Sequence, residues 1–186
     1  MRVISGLYKG RKLQAGKDMA IRPTTDRVKE YIFTILDDYI RDKNVVDIFS
    51  GSGNLGIEAL SRGARHVTFV EKSRTSIRVM RKNLEALPIA PRSYDIIHQP
   101  AERFVLQNRR SFDIYFLDPP FDIPGLQGLM DTLMQAPFLD LRDLVVIEHE
   151  TSNPLALTSP LYDLFRQKKM GRSLISFLQK KEKDDE

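Results

Sequence analysis

The sequence contains no cysteine, and none of its apolar runs approaches the roughly 20 residues that a membrane-spanning helix needs. Without thiols the chain can form no disulfide, and it can use no thiolate as a metal ligand or nucleophile. Residues 1–6 also lack the basic and then apolar profile of a secretory signal. We therefore expect a cytoplasmic protein with no membrane partner.

The length and composition are those of an ordinary soluble globular protein. The chain has 186 residues, of which 41% are hydrophobic and 29% are charged. This length is enough for one well-packed domain, and no repeat or linker divides it. We predict a single domain over residues 1–186, with an N-terminal extension (1–41), an α/β core (42–179) and a charged tail (180–186).

The net charge of +4 is concentrated near the N-terminus. Residues 1–30 contain eight basic and three acidic residues, so the rest of the chain is close to neutral. A basic segment attached to a near-neutral body indicates a polyanionic partner, and nucleic acid is the foremost class. The alternative is a solvated basic face with no partner.

The order of predicted elements indicates the fold class. Two glycines support a short hairpin of strands 2–5 and 11–14. The next segment, Arg22–Asp26, contains a hydroxyl that can cap a helix and an acid for its first turn. We predict that an amphipathic helix of about four turns begins there and ends near Ile40. Strands and helices then alternate, which predicts a doubly wound, mostly parallel α/β sheet that ends in an antiparallel hairpin, 162–170 with 173–179. The other predicted strands are 45–49, 66–71, 94–98, 112–117 and 144–148, and the other predicted helices are 55–61, 73–87, 101–107 and 126–135.

A glycine-rich loop follows the first predicted parallel strand. Gly51, Gly53 and Gly56 fit G-x-G-x-x-G in the required strand–loop–helix context. Glycines there allow a sharp turn and a close approach of a ligand to the backbone. Glu71 ends the next strand and can accept hydrogen bonds from ribose hydroxyls. The alternative is that the loop only connects the strand tightly to the helix and binds no ligand.

The second motif is Asp118-Pro119-Pro120-Phe121, at the end of another apolar strand. The Asp118 carboxylate and the Pro119 carbonyl can accept the two N–H groups of an exocyclic amine, and Phe121 offers a ring for stacking. The prolines fix φ and donate no N–H, so the carbonyls are held stiffly. Alternatively, the acid and the prolines only end the strand in a turn.

The glycine loop alone fits a dinucleotide as well as S-adenosylmethionine. Asp47, on the strand that enters the loop, suits a ligand with a cationic amine and would be unhelpful beside a pyrophosphate. The Asp118 motif closes a strand at the same edge of the predicted sheet. Both observations favour S-adenosylmethionine.

With these motifs in place, the chain resembles the RsmD family of small-subunit ribosomal RNA guanine-N2 methyltransferases over nearly its whole length. The block Arg-Pro-Thr-Thr-Asp-Arg at 22–27 is specific to that family, whereas the glycine loop is shared by many methyltransferases. The matching segments are 2–6, 9–11, 22–30, the glycine loop through Gly63, 70–72, 118–121 and 148–149.

The resemblance implies a Rossmann-like class I S-adenosylmethionine-dependent methyltransferase. Its mostly parallel seven-stranded sheet would carry an N-terminal β-hairpin and helix extension. The implied reaction moves a methyl group from S-adenosylmethionine to the exocyclic N2 of a specific guanine in 16S rRNA, without a metal. The implied partner is 16S rRNA, the small ribosomal subunit or its assembly intermediate, and we expect a monomer.

The resemblance also implies roles for individual residues. Pro100 stands where the family usually has an acid that meets the adenine amine, so the Ala101 N–H or the Glu102 side chain would substitute. The implied cofactor-binding residues are Asp47, Ser50, Gly51, Gly53, Glu71 and Ala101; the implied catalytic residues are Asp118, Pro119 and Phe121; the implied RNA-binding residues are Arg11, Arg22, Thr24 and Arg27.

Other readings of the sequence remain open. The histidines His66, His98 and His149 do not have the spacing of metal ligands, and we interpret them as structural. The loop serines Ser50 and Ser52 have no histidine partner that would make them nucleophiles. Rival functions are methylation of another amine, in DNA adenine or protein glutamine, and a non-catalytic relic that binds RNA or cofactor. A nicotinamide-dependent dehydrogenase is a more distant alternative.

Overall fold

The computed structural model describes residues 1–15, 25–121, 123–152, 155–156 and 160–181. Its centre is one seven-stranded sheet with the strand order β3-β2-β1-β4-β5-β7-β6. The strands are β1 Asn44–Ile48, β2 His66–Glu71, β3 Tyr94–His98, β4 Ile114–Leu117, β5 Leu144–Glu150, β6 Tyr162–Met170 and β7 Ser173–Lys180.

Strands β1 to β5 pair in parallel, whereas β7 pairs antiparallel with β5 and β6 antiparallel with β7. The mostly parallel, Rossmann-like sheet with a closing hairpin is therefore confirmed. The predicted bounds of β2, β3 and β6 agree with the observed ones, while β5 continues two residues further than predicted, to Glu150.

Helices cover both faces of the sheet. Phe116 of β4 belongs to the core on one face, and its neighbour Tyr115 belongs to the core on the other, since successive side chains in a strand alternate. Burial on both sides explains why the central strands are nearly continuous apolar runs. The first face carries α1 Asp26–Leu36, α2 Asn54–Ser61 and α3 Arg74–Glu85; the second carries α4 Ala101–Gln107 and α5 Leu126–Met134.

The start of α1 agrees with the predicted capping chemistry. The Thr25 side chain accepts a hydrogen bond from the Val28 N–H, and Asp26 lies in the first turn. The α-helix ends at Leu36 and a 3₁₀ turn, Asp37–Ile40, completes the segment. The predicted four-turn helix is thus three α-helical turns followed by a tighter one.

The N-terminal hairpin differs from its prediction. Residues 2–5 and 11–14 do not form two strands; they share a single antiparallel bridge between Arg2 and Lys12. The reason is that the N–H groups of Ile4 and Ser5 donate to the Glu58 carboxylate on α2 instead of to a partner strand. The hairpin is therefore attached to α2.

A buried charged group joins this hairpin, α1 and α2. The side chains of Lys29 and Glu58 are both 0% exposed, with Lys29 Nζ 3.2 Å from Glu58 Oε2. Arg62 Nε donates to the other carboxylate oxygen at 2.9 Å. Burial lowers the pKa of Lys29, and the neighbouring Glu58 opposes that shift. Lys29 is one of the eight basic residues of the N-terminal segment, but its burial makes it inaccessible to an RNA partner.

The C-terminal end of the sheet corrects one predicted boundary. Lys180, assigned to the charged tail, lies in β7, and its ammonium donates to the carbonyls of Ala136 and Leu139. Residues 182–186 of that tail lie outside the described residues. Within the described ranges, no helix combines the length and apolar character that crossing a membrane requires.

Candidate active site

The carboxyl ends of β1, β2 and β4 meet at one edge of the sheet. Ile48 of β1 pairs with Val70 of β2 on one side and with Leu117 of β4 on the other. The Asp118 N–H lies 3.4 Å from the Ile48 carbonyl oxygen. The fold thereby brings the glycine loop, Glu71 and the Asp118 motif to the same edge, where ligands bind in open α/β sheets.

Backbone conformation explains the glycines of the loop. Gly51 and Gly53 have φ of 54° and 84°, in the left-handed region that favours glycine. A Cβ on Gly56 would lie 2.2 Å from Phe69 Cε1, so this position allows α2 to pack closely on β2. Phe49, which is not a glycine, also has a positive φ of 66°. Backbone strain of this kind clusters at functional sites.

Asp47 and Ser50 lie beneath the loop. The buried Asp47 carboxylate accepts a 2.9 Å hydrogen bond from the Gly56 N–H, and the Ser50 hydroxyl is within hydrogen-bond distance of the carbonyls of Asp47 and Val70. Burial raises the pKa of Asp47 to about 7; the Gly56 N–H opposes this and the charge of Glu71 adds to it. Both side chains shape the loop, and their direct contact with a cofactor stays a prediction.

Glu71 fixes the loop from the neighbouring strand. Its Oε2 accepts the Gly51 N–H at 2.8 Å and its Oε1 accepts the Ser73 N–H at 2.7 Å. Each carboxylate oxygen has a second lone pair, so ribose hydroxyls can still be accepted. The two backbone N–H groups therefore orient the carboxylate in advance for such a ligand.

The segment after β3 lies beside Glu71, because the Gln99 N–H donates to the Glu71 carbonyl at 3.1 Å. Pro100 is the N-cap of α4 and makes no side-chain capping bond. Ala101 is the buried first residue of this helix, and Glu102 lies exposed in its first turn. First-turn N–H groups have no partner within a helix, so the Ala101 N–H is suited to the predicted substitute contact.

The Asp118 motif borders a cavity of about 210 Å³. Pro119 is buried, whereas Asp118, Pro120 and Phe121 are half-buried. The guanidinium carbon of Arg172 lies 5.9 Å from the centroid of the Phe121 ring. The cavity is lined by the motif from Pro119 onward, by the start of α5 and by the end of β5, including Gln127, His149 and Glu150.

Two further residues at this edge, Arg172 and Glu150, could not be predicted from the sequence. Arg172 lies in the turn between β6 and β7, about fifty residues after Phe121, and only the antiparallel pairing of β7 with β5 brings it to this edge. Glu150 forms an ion pair with Arg172. No local motif in the sequence marks either residue.

The histidine environments agree with structural roles. The ring of His149 is buried, with Nε2 3.0 Å from the Ser176 hydroxyl, and burial lowers the pKa of His149 to about 4. His98 Nε2 contacts the Lys72 carbonyl at 3.0 Å. In the part of the chain that the structure describes, no cluster of His, Asp and Glu side chains could hold a metal ion.

Of the predicted RNA-binding residues, the structure describes two. Arg11 and Arg27 are both exposed. Arg22 and Thr24 lie outside the described residues. The RNA-binding roles of all four stay predictions.

Comparison with known proteins assigns the family. The family model described as "Conserved hypothetical protein 95" matches residues 1–179. Ribosomal RNA small subunit methyltransferase D of Haemophilus influenzae is 38% identical over 173 residues, covering 92% of this chain and 89% of that protein. The Escherichia coli protein of the same name is 35% identical over 172 residues, covering 92% of this chain and 86% of that protein.

A solved structure from Escherichia coli, described as a proposed methyltransferase (yhhF), superposes with a TM-score of 0.85 at 34% identity and covers 97% of each chain. The likeness therefore extends over the entire sheet and is not confined to the glycine loop. The chain belongs to the RsmD family, which includes the proteins named ribosomal RNA small subunit methyltransferase D.

Proposed function

We propose that this protein transfers the methyl group of S-adenosylmethionine to the exocyclic N2 of a guanine in 16S rRNA. The observation that carries the proposal is the meeting of the glycine loop, Glu71 and the Asp118 motif at one sheet edge. The names of the relatives support ribosomal RNA of the small subunit as the substrate.

The donor set at this edge fits a cationic cofactor. The carboxyl groups of Glu71 and Asp118 lie at the loop, and the Asp47 carboxyl, whose pKa burial raises to about 7, lies beneath it and would gain its charge when a cation binds nearby. They would disfavour the pyrophosphate of a dinucleotide and suit a ligand with a sulfonium and an ammonium group. When bound, S-adenosylmethionine supplies an activated methyl group. Glu71 would hold its ribose, and Ala101 would lie beside its adenine.

The chemistry assigned to the Asp118 motif is alignment of a weak nucleophile. The lone pair of the guanine amine is delocalised into the ring, so the amine must be held in line with the methyl carbon. The Asp118 carboxylate and the Pro119 carbonyl accept its two N–H groups, and Phe121 stacks on the ring. Such positioning can supply a large share of a rate enhancement.

The base must leave its stack to reach this edge, which costs a few kcal/mol. An unpaired loop guanine would cost least, and this agrees with sequence-specific recognition of single-stranded RNA. The exposed Arg11 and Arg27 would contact phosphates on the same substrate, together with Arg22 and Thr24. We propose that the protein acts as a single-domain monomer on free 16S rRNA, the small subunit or its assembly intermediate.

The test uses labelled S-adenosylmethionine and small ribosomal subunits from cells that lack this protein. After digestion of the RNA to nucleosides, label is expected in N2-methylguanosine. The Asp118→Ala variant should lose turnover and keep its affinity for the cofactor, while the matched control Asp163→Ala, at an exposed residue of β6, should stay active. Label in another nucleoside, or a substantially active Asp118→Ala variant, would contradict the proposal.

A further inference from the structure

We propose that Arg172 forms the second wall of the target-base site, with its guanidinium stacked on the base opposite Phe121. The inference rests on the proposed function, because it requires that the base stacks on Phe121. It assigns a substrate contact to the β6–β7 turn, a segment to which the sequence assigned only a structural role.

The fold places Arg172 at the edge of the sheet that carries the candidate active site. The turn that contains it is built on Gly171, whose φ of 66° is accessible to glycine. Glu150 pairs with Ser173, and the Thr151 N–H donates to the Arg172 carbonyl at 2.9 Å. The Arg172 backbone is therefore anchored to the end of β5, next to the cavity bordered by the Asp118 motif.

The side chain of Arg172 is less constrained than its backbone. It is 72% exposed, whereas the side chain of its ion-pair partner Glu150 is only 9% exposed. A fixed carboxylate thus directs a solvated guanidinium toward the Phe121 ring. The guanidinium itself is mostly solvent-exposed, so it has room to move when a substrate arrives.

The distance between the Arg172 guanidinium and the Phe121 ring is close to the distance needed to hold a base between them. A base between them needs two van der Waals contacts of about 3.5 Å each, or roughly 7 Å in all. The guanidinium carbon now lies 5.9 Å from the centroid of the ring, so the guanidinium has to move outward to admit a base. Arginine is suited to this position because its planar group stacks on bases, and its charge adds attraction to the ring faces.

The alternative role is a phosphate contact, and lysine distinguishes the two roles. Lysine keeps the charge but has no planar group, so it can replace arginine at a phosphate and not in a stack. We would measure kcat/KM for methylation of small subunits by wild type, Arg172→Ala and Arg172→Lys at several salt concentrations. Arg92→Lys is the matched control, since Arg92 is exposed at the amino end of β3, away from this edge.

Both Arg172 variants are expected to lose roughly 5- to 150-fold in kcat/KM, the range found when stacking on a base is removed. Cofactor affinity and the salt dependence should match those of wild type. The effects of Arg172→Ala and Phe121→Leu should be less than multiplicative in the double variant, because each removes one wall of the same sandwich.

Full activity of Arg172→Lys would overturn the stacking role in favour of a phosphate contact. The same conclusion would follow if the slope of log kcat/KM against log salt concentration became shallower by about 1 in Arg172→Ala. Multiplicative effects in the double variant would also contradict it. If wild type forms no N2-methylguanosine, the proposed function itself fails. If wild type is active and the Arg172 variants match it, only this inference fails.

Discussion

Replacing Glu58 with alanine is expected to destabilise the protein strongly, because it leaves the buried Lys29 ammonium without a counter-charge. Removing one partner of a buried ion pair typically costs about 3–5 kcal/mol. The N–H groups of Ile4 and Ser5 would lose their acceptor in the same substitution. The hairpin that carries the N-terminal basic residues would therefore loosen.

The size of the effect has a ceiling, because the ammonium can release its proton. A lysine starts from a pKa of 10.5, so forcing it to be neutral at pH 7 costs about 5 kcal/mol. We therefore expect a loss of about 3–5 kcal/mol in the free energy of unfolding. For a chain of this length the melting temperature should fall by roughly 6–20 °C.

The pH dependence gives this loss a signature. The variant lowers the folded-state pKa of Lys29 further below its unfolded value, so the penalty is complete at low pH. This penalty shrinks as pH rises through the folded-state pKa of Lys29. Above pH 10.5, Lys29 is neutral in both the folded and the unfolded protein. Unfolding in urea, followed by circular dichroism at several pH values, should therefore show the deficit of Glu58→Ala decreasing from pH 7 to pH 10.

Two further variants make the measurement decisive. The double variant Glu58→Leu with Lys29→Met removes both charges of the pair and should recover part of the stability; the N–H groups of Ile4 and Ser5 and the Arg62 guanidinium still lose their acceptor. The control Asp38→Ala breaks an exposed pair with Arg41 and should cost about 0.5 kcal/mol or less. If Glu58→Ala lies within about 1 kcal/mol of wild type, or its deficit does not change with pH, the reasoning about the buried pair is wrong.

Three other predictions concern the glycine loop and Glu71, which holds it. Gly56→Ala should destabilise by about 1–3 kcal/mol in thermal unfolding because its Cβ meets the Phe69 ring, whereas Gly128→Ala, where a Cβ meets nothing within 4 Å, should be tolerated. Asp47 should contribute a loss on the order of 4 kcal/mol of stability as pH rises from about 4 to 7, because burial raises its pKa to about 7 only in the folded state, and Asp47→Asn should remove that contribution and leave the smaller one of Asp143. Glu71→Ala should weaken S-adenosylmethionine binding roughly tenfold or more in calorimetry, and Glu71→Gln should weaken it less.

Each of these predictions can fail clearly. Equal stability of the Gly56→Ala and Gly128→Ala variants would show that the contact with Phe69 is not limiting. Parallel stability curves for wild type and Asp47→Asn would show that Asp47 is ionised in the folded protein. Unchanged cofactor affinity in Glu71→Ala would remove Glu71 from the site.

Much of the fold could be predicted because its signals are local. The apolar runs of β1, β4 and β5 mark strands buried on both faces, and the Thr25 cap marks the start of a helix. The glycine loop and Glu71 are separated by one strand–helix–strand unit, so sequence spacing alone places them at one edge. Capping, periodicity and turn chemistry all act over a few residues and are readable without the tertiary structure.

The sequence by itself determined the order of strands and helices, the loop that would bind a cofactor and the motif that would hold an amine. Only the tertiary structure decided that Lys29 is buried against Glu58 and is not an RNA contact, and that Arg172 lies over Phe121. In each case the partners are far apart in the chain and come together through packing of separate elements. A charged residue looks the same in sequence whether its partner is water or a buried carboxylate, because the difference lies in the desolvation that packing imposes.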